Sequence, residues 1–234
     1  MSKSSVLVFG GSRGIGAACV DAFVAAGWQV GCTFATRKAP RADVRGWQVD
    51  IRDAAAVARV FDEAAAAFGG PPRAVVANAG VNVPGRPVAD FSPEDFRLLM
   101  DVNLFGAYNV LAEAARRTPE GGAIVAITTS LVRYVVPGTG PYAASKAAVE
   151  SLVRAMSKEL AGRRIRVNGV APGPVDTDLF NAGKTEEAKQ RMAAFSPLNR
   201  IGRPEEIAHV VQFLASDAAS WVTGQIVQPN GGMI

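Results

Sequence analysis

Short apolar runs alternate with longer amphipathic, alanine-rich segments along the whole chain. The apolar runs are rich in β-branched side chains, which is typical of strands buried on both faces of a sheet. They predict strands over residues 6–9, 30–34, 46–49, 74–77, 123–128, 165–170 and 226–227.

The segments between these runs carry helix signals. Gly27 follows the first segment as a candidate C-cap. Ser92 precedes the longest segment as an N-cap, with Pro93 at the first helical position and Asp95 at the third. The pattern predicts helices over residues 15–26, 54–68, 93–117, 142–161 and 204–214.

The alternation of strands and helices predicts an α/β protein with a doubly wound parallel sheet of about seven strands and helices on both faces. No repeat, low-complexity segment or linker interrupts the pattern. We therefore expect a single domain over residues 1–234.

Composition narrows the class of protein. Hydrophobic residues make up 49% of the 234 positions and charged residues 20%, which indicates a soluble globular chain without a signal peptide or membrane span. The net charge is +4, but basic and acidic residues are mixed, so we expect no nucleic-acid partner. Cys19 and Cys32 lack metal-like spacing. We expect reduced cysteines, no metal site and a cytoplasmic location.

A glycine-rich turn, Gly10-Gly11-Ser12-Arg13-Gly14-Ile15-Gly16, lies between the first predicted strand and the first predicted helix. Glycines at this place allow a tight turn and let the backbone approach a pyrophosphate at the positive end of the helix. The spacing differs from the G-x-G-x-x-G fingerprint, but the strand–turn–helix context predicts nucleotide binding.

Tyr142 and Lys146 are four residues apart on a predicted helix, so their side chains share one face. A phenol with a pKa near ~10 is a poor acid–base group at neutral pH. A neighbouring ammonium favours the phenolate, so we expect Lys146 to lower the pKa of Tyr142.

In the order of these features the chain resembles the short-chain dehydrogenase/reductase family, and the resemblance covers nearly all of it. The fold that it implies is a Rossmann-type sheet. The matching elements are the glycine turn, Asp50 after the third strand, Asn78-Ala79-Gly80 after the fourth, Asn103 in the long helix, Tyr142 with Lys146, and Pro172-Gly173 followed by Thr177.

The resemblance implies a role for each of these residues. Tyr142 is then the general acid in carbonyl reduction, Lys146 holds the nicotinamide ribose, and Asn103 anchors a water that relays protons to Lys146. The implied cofactor-binding residues are Gly10, Ser12, Arg13, Gly14, Ile15, Gly16, Arg37, Asp50, Ile51, Asn78, Ala79, Gly80, Tyr142, Lys146, Pro172, Gly173, Val175 and Thr177.

The second strand indicates which cofactor is used. Members of the family that prefer NAD place an Asp at its end, where this chain has Phe34. Arg37 follows closely, and Arg13 lies in the glycine turn. Two guanidinium groups without a carboxylate suit a 2′-phosphate, which favours NADP(H).

The substrate-binding hydroxyl has two candidates. The family usually carries a serine 13 positions before the tyrosine, and here that position is Thr129. Ser130 lies one position closer and takes this role if the chain adjusts by one residue after the strand. The ungapped alignment favours Thr129.

The sequence indicates the substrate less clearly than it indicates the reaction. Candidate pocket residues are Arg133, Tyr134 and Val135, together with a segment over 179–198 that often forms a lid in the family. The C-terminal part looks most like 3-oxoacyl-[acyl-carrier-protein] reductases, in which the residue matching Arg163 helps to dock the acidic carrier. This favours a 3-oxoacyl thioester, bound to the carrier or to CoA, as the carbonyl substrate.

Two other functions stay open: a ketoreductase or alcohol dehydrogenase of specialised metabolism acting on a polyketide, sugar or polyol, and a non-catalytic NADP(H)-binding sensor or scaffold. The resemblance also implies a homo-oligomer, a tetramer or dimer, paired through the helices over 93–117 and 142–161. Leu98, Phe105, Val149 and Val153 suit either the core or that interface.

Overall fold

The chain folds around a single parallel sheet in the computed structural model, which describes residues 4–36, 41 and 43–234. The strand order is β3-β2-β1-β4-β5-β6-β7, so consecutive strands wind outward from the centre in both directions. The strands are β1 (Ser5–Phe9), β2 (Gln29–Phe34), β3 (Arg45–Gln48), β4 (Ala74–Ala77), β5 (Ala123–Ile127), β6 (Arg166–Val170) and β7 (Ile226–Val227).

The described helices follow the predicted alternation. Ser92 caps α3 by accepting from the Asp95 N–H at 3.0 Å, as expected. The helices are α1 (Gly14–Ala25), α2 (Ala54–Phe68), α3 (Pro93–Met100), α4 (Ala107–Arg117), α5 (Gly140–Glu159), α6 (Asp178–Asn181), α7 (Glu186–Ala193) and α8 (Pro204–Ala215).

Two differences from the predicted elements concern the site. The helix predicted over 93–117 is interrupted by a π-helical turn, Asp101–Gly106, and α5 begins at Gly140 rather than at residue 142. Tyr142 therefore lies in the first turn of α5. Hydrophobic periodicity predicts neither feature, because a single short turn changes few positions in a long apolar pattern and helix boundaries are its least certain part.

Alternate residues of each strand pack on opposite faces of the sheet. Leu7 and Phe9 of β1 join α2, α4 and α5 on one face, while Val6 and Val8 join α1 and α8 on the other. Both faces are covered, which explains why the strand sequences are apolar throughout and confirms the predicted fold class.

The parallel strands end at one edge of the sheet, and β1 pairs with both β2 and β4. Connections after β1 and β4 diverge to opposite faces, which opens a crevice at this switch point. Among the described helices, none is long and apolar enough to cross a membrane.

Candidate active site

A large cleft lies at the carboxyl edge of the sheet and has a volume of about 1140 Å³. This exceeds the usual size of a small-ligand pocket and leaves room for more than one molecule. Of the predicted site residues that the structure describes, only Gly16 and Asn103 are absent from its lining. Those that line it are Gly10, Ser12, Arg13, Gly14, Ile15, Asp50, Ile51, Asn78, Ala79, Gly80, Thr129, Ser130, Tyr142, Lys146, Pro172, Gly173, Val175 and Thr177.

The glycine turn is held rigidly at one end of the cleft. Gly10 has a φ of 78°, and its N–H donates to Thr33 Oγ1 at 3.1 Å while its carbonyl accepts from Asn78 Nδ2 at 2.8 Å. A Cβ on Gly16 would lie 2.0 Å from the Gly10 carbonyl oxygen, so only glycine fits there. This packing fixes the first turn of α1 against the end of β1.

The start of α1 has the chemistry of an anion site. Arg13 occupies the N-cap position in extended conformation and makes no side-chain cap to the helix. The first N–H groups of α1 thus receive no cap from Arg13, and the helix dipole favours negative charge at this point. A pyrophosphate fits this end of the cleft.

Two further glycines bring the cleft walls together. A Cβ on Gly80 would lie 3.1 Å from Asn103 Oδ1 and 3.3 Å from Lys146 Nζ. A Cβ on Gly14, whose φ is 53°, would lie 3.1 Å from the Thr177 methyl carbon. The backbone at both points approaches functional side chains more closely than a larger residue allows, which makes a cradle for an extended cofactor.

Asn103 lies in the π-helical turn and is fully buried. Its amide accepts from the Val81 N–H at 2.8 Å and donates to the Val81 carbonyl at 2.9 Å. It also donates to Ser145 Oγ at 3.3 Å, and that hydroxyl donates to the Tyr142 carbonyl at 2.7 Å. The π turn thus presents an amide that ties the loop after β4 to the first turn of α5.

Lys146 is buried one helical turn after Tyr142, with Nζ donating to the Ile127 carbonyl at 3.0 Å. Burial lowers the pKa of Lys146 to about 8 and raises the pKa of Tyr142 to about 12. The expected lowering of the Tyr142 pKa is therefore wrong for this structure, because burial disfavours the charged phenolate. The phenol stays protonated at neutral pH, which is the state that an acid requires.

The two candidate hydroxyls differ in their partners. Ser130 is buried, donates to the Ala171 carbonyl at 2.8 Å and accepts from Asn230 Nδ2 at 3.2 Å. Thr129 Oγ1 accepts from the Leu131 N–H at 3.3 Å, and within the described ranges its proton has no recorded acceptor. The geometry thus leaves the Thr129 hydroxyl available as a donor.

The residues predicted to select the cofactor are only partly described. Phe34 ends β2 as predicted, and it lines the cleft together with the exposed Arg13. The Asp50 carboxylate is paired with Arg52, which lowers the pKa of Asp50. Arg37 lies outside the described residues.

The predicted substrate wall needs correction. Arg133, Tyr134 and Val135 do not line the cleft; Tyr134 instead packs on Phe195, with ring centroids 5.4 Å apart. Residues 178–199, called the lid below, contribute Leu179, Phe180, Met192 and Phe195 to the lining as expected. Apolar residues that the sequence did not single out complete this wall: Val83, Phe91, Val102, Leu131, Val136 and Met233.

Arg163, the candidate for docking an acidic carrier, is used within the fold. Its guanidinium donates to the carbonyls of Ala115 and Thr118 at the end of α4. These carbonyls have no partner inside the helix, so Arg163 caps it. The match to a docking residue therefore loses its support, because sequence position does not show where a side chain turns.

Comparisons with known proteins show which family the chain is similar to. Residues 10–234 match the profile of a protein family described as Enoyl-(Acyl carrier protein) reductase. The chain is 44% identical to an NADPH-dependent aldehyde reductase-like protein, chloroplastic, of Arabidopsis thaliana, over 85% of this chain and 74% of that protein. It is 36% identical to the 3-oxoacyl-[acyl-carrier-protein] reductase MabA of Mycobacterium bovis, over 98% and 92% respectively.

A solved structure shows the same fold. The aldohexose dehydrogenase AldT of Thermoplasma acidophilum superposes with a TM-score of 0.91 at 28% identity, covering 99% of this chain and 94% of that one. The chain belongs to the short-chain dehydrogenase/reductase family. It is an oxidoreductase of a family that binds nicotinamide cofactors.

The buried ammonium of Lys146 makes a prediction about stability. Because the folded pKa is about 8 and the unfolded value 10.5, the native state binds fewer protons between these values. Holding the charge buried at pH 7 thus costs about 3 kcal/mol. We expect Lys146→Met to unfold at a higher temperature than the parent at pH 7, and this advantage to shrink as the pH rises towards 10.5.

Thermal unfolding followed by circular dichroism across pH 6.5–10.5 measures the effect. Lys158→Met, which removes an exposed lysine from the same helix, is the matched control and should show little pH dependence. A Lys146→Met variant that is less stable than the parent at every pH would contradict the buried-charge cost.

Proposed function

We propose that this protein is an NADPH-dependent oxidoreductase that reduces a ketone to a secondary alcohol, with 3-oxoacyl thioesters as the first substrate class to test. The observation that carries the proposal is the protonated phenol of Tyr142, placed on the cleft wall one helical turn from the buried Lys146. A hydride transferred to a carbonyl leaves an alkoxide, which needs such a donor.

In this mechanism the bound nicotinamide supplies the hydride. Thr129 donates a hydrogen bond to the substrate carbonyl, and Tyr142 gives its proton to the oxygen as charge develops there. Lys146, with its pKa near 8, exchanges protons readily at neutral pH and would hold the nicotinamide ribose. Asn103 fixes the first turn of α5 through Ser145, so that these groups keep their spacing.

The choice of NADPH rests on the charge at the cofactor end of the cleft. Phe34 stands where a carboxylate would bind the 2′-hydroxyl of NAD, and the exposed Arg13 lines the same cleft. The Asp50 carboxylate is already neutralised by Arg52. The Arabidopsis relative is named as an NADPH-dependent protein, which supports the same choice.

The substrate class rests on the apolar wall around Tyr142 and on the MabA relative. Residues such as Phe180, Met192 and Phe195 suit an acyl chain better than a sugar. The Arg163 guanidinium is bound to carbonyls at the end of α4, so this residue gives no support to docking of an acyl-carrier protein. A CoA thioester or another small thioester is therefore an equally suitable substrate.

A second candidate is a reductase or dehydrogenase of specialised metabolism acting on a polyketide, sugar or polyol. The fold match to the Thermoplasma aldohexose dehydrogenase favours it, since that protein's name places a sugar in the same fold. A non-catalytic NADP(H)-binding role is a third possibility. The protonated Tyr142 beside Lys146 and the donor-ready Thr129 weigh against it.

We also propose a homo-oligomer in a reducing, cytoplasmic setting. Phe105 is 60% exposed, which leaves apolar surface in the π turn between α3 and α4, whereas Leu98, 38% exposed, lines the cleft. Val149 and Val153 are core residues, so they do not contribute to an interface. Both cysteines are free and buried, as suits a compartment that keeps thiols reduced.

The decisive experiment is a carbonyl panel run with NADPH and NADH side by side. It should contain acetoacetyl-CoA, a carrier-bound 3-oxoacyl chain, an aldohexose, an aromatic ketone and an aliphatic aldehyde. We expect NADPH oxidation with the thioesters. Turnover of the other carbonyls alone would overturn the substrate class, and binding of NADPH without any turnover would overturn the enzymatic role.

Tyr142→Phe should reduce kcat by about 10³-fold, because general acid catalysis contributes roughly 10²–10⁴-fold. Binding of NADPH, measured by fluorescence, should change little. The control is Tyr108→Phe, which removes an exposed hydroxyl outside the cleft. Full activity of Tyr142→Phe would refute the assigned acid.

Thr129→Val removes the proposed carbonyl donor while keeping the shape of the side chain. We expect a loss in kcat of about 10²–10³-fold, as for other single oxyanion donors. Ser130→Ala should cost only about tenfold in kcat/KM, because that hydroxyl serves Ala171 and Asn230. Steady-state kinetics with the best substrate of the panel compares them, and the reverse order would assign the donor to Ser130.

Arg13→Ala tests the cofactor choice. A hydrogen bond to a charged group is worth roughly 1.5–3 kcal/mol, so KM for NADPH should rise at least about tenfold while KM for NADH stays nearly constant. Arg116→Ala removes an exposed arginine elsewhere as a control. Equal losses for both cofactors would place Arg13 on the pyrophosphate and remove its part in selectivity.

A further inference from the structure

The C-terminal turn at residues 230–233 is tied to the loop that carries Thr129. Asn230 is 8% exposed, and its Nδ2 donates to Ser130 Oγ at 3.2 Å. Its Oδ1 accepts from the N–H groups of Gly232 at 3.0 Å and Met233 at 3.2 Å. One side chain therefore shapes the turn and also holds the residue next to the proposed carbonyl donor.

The same turn packs on the loop after β6. The Gly173 N–H donates to the Pro229 carbonyl at 3.3 Å, and a Cβ on Gly173 would lie 2.9 Å from Asn230 Cβ. The Ser130 N–H donates to the Pro172 carbonyl at 2.9 Å, which closes a small ring of contacts. This loop forms the expected nicotinamide end of the cleft.

The lid joins the turn from the opposite side. Ser196 is 5% exposed and donates to the Gly231 carbonyl at 2.6 Å, while it accepts from the Leu198 N–H at 3.1 Å. Gly231 has a φ of 67°, and a Cβ there would lie 2.4 Å from Ser196 Oγ. The base of the lid is thus seated directly on the C-terminal turn.

We propose that Asn230 is a positioning residue for catalysis, which sets the Thr129 hydroxyl and the base of the lid relative to each other from the C-terminal turn. The proposal rests on the proposed function, in which Thr129 and the lid contact the substrate. Asn230 itself does not line the cleft, so it acts through Ser130 on one side and through the turn on the other.

The expected effect is selective for the carbonyl substrate. Asn230→Ala keeps the Cβ against Gly173 and so preserves the nicotinamide end, but removes both the donor to Ser130 and the acceptor within the turn. A small displacement of a positioned donor is costly to catalysis. We expect kcat/KM for the carbonyl to fall at least about tenfold, with NADPH affinity within about threefold of the parent.

The chain offers a matched control in Asn168. This asparagine of β6 is likewise buried, donates to the Val222 carbonyl at 2.8 Å and accepts from the Gln225 N–H at 3.0 Å. It bridges a strand to a later loop as Asn230 does, but lies outside the cleft lining. Asn168→Ala should lower stability by a similar amount and leave KM unchanged.

Asn230→Asp tests the hydrogen bond to Ser130 separately from the hydrogen bonds within the C-terminal turn. A carboxylate keeps the acceptor for Gly232 and Met233, but it cannot donate to Ser130 Oγ, whose single proton already goes to the Ala171 carbonyl. We expect Asn230→Asp to keep the turn and still to lose kcat/KM for the carbonyl at least about tenfold, as Asn230→Ala does. An aspartate variant with the kcat/KM of the parent, or an alanine variant with unchanged kcat/KM, would overturn the proposal.

Hydrogen–deuterium exchange tests the coupling without any substrate. In Asn230→Ala, amide exchange should rise together in residues 129–134 and 195–199, whereas Asn168→Ala should affect only the region around 222–225. Unchanged exchange in 129–134 would overturn the inference. If the expected exchange pattern is seen but no carbonyl of the panel is turned over, the proposed function is refuted and the coupling through Asn230 is not.

Discussion

The buried ammonium of Lys146 is the constraint on which the rest of the cleft depends. An ammonium taken out of water is costly unless neighbouring groups compensate, and here the Ile127 carbonyl at the end of β5 accepts a hydrogen bond from Nζ at 3.0 Å. A Cβ on Gly80 would lie only 3.3 Å from Nζ, so glycine leaves room for the ammonium, and the Asn103 amide fixes the loop on which Gly80 lies. The Lys146 ammonium is thus surrounded by the end of β5, by Gly80 and by the π turn that carries Asn103.

That arrangement explains why the helix over 93–117 is not continuous. The π turn swings Asn103 inward to reach both the loop after β4 and Ser145 of α5. A regular helix would present a different side chain to these partners. The π turn therefore holds three elements at a fixed spacing around the cleft: its own helix, the loop after β4 and the first turns of α5. This irregular stretch of backbone lies next to the proposed catalytic residues.

The fold and most site positions followed from the sequence because strand ends and glycine turns are local signals. The π turn, the raised pKa of Tyr142 and the use of Arg163 did not follow, because each depends on contacts distant in the chain. Arg163 binds carbonyls of α4 some 45 positions away, which no spacing rule reports. The pKa of Tyr142 depends on how deeply the first turn of α5 is buried, and composition carries no information about this.

Asn230 shows the same limit at the other end of the chain. The sequence Asn230-Gly231-Gly232 indicates a turn, but it gives no sign that the turn meets Ser130, Gly173 and Ser196 at once. Positive φ at both glycines lets the backbone fold tightly enough for this contact. A segment more than 80 residues beyond the tyrosine thereby becomes part of its surroundings. In a parallel α/β sheet this is expected, because every strand, including the last, delivers its following loop to one edge, where residues far apart in the chain share one cavity.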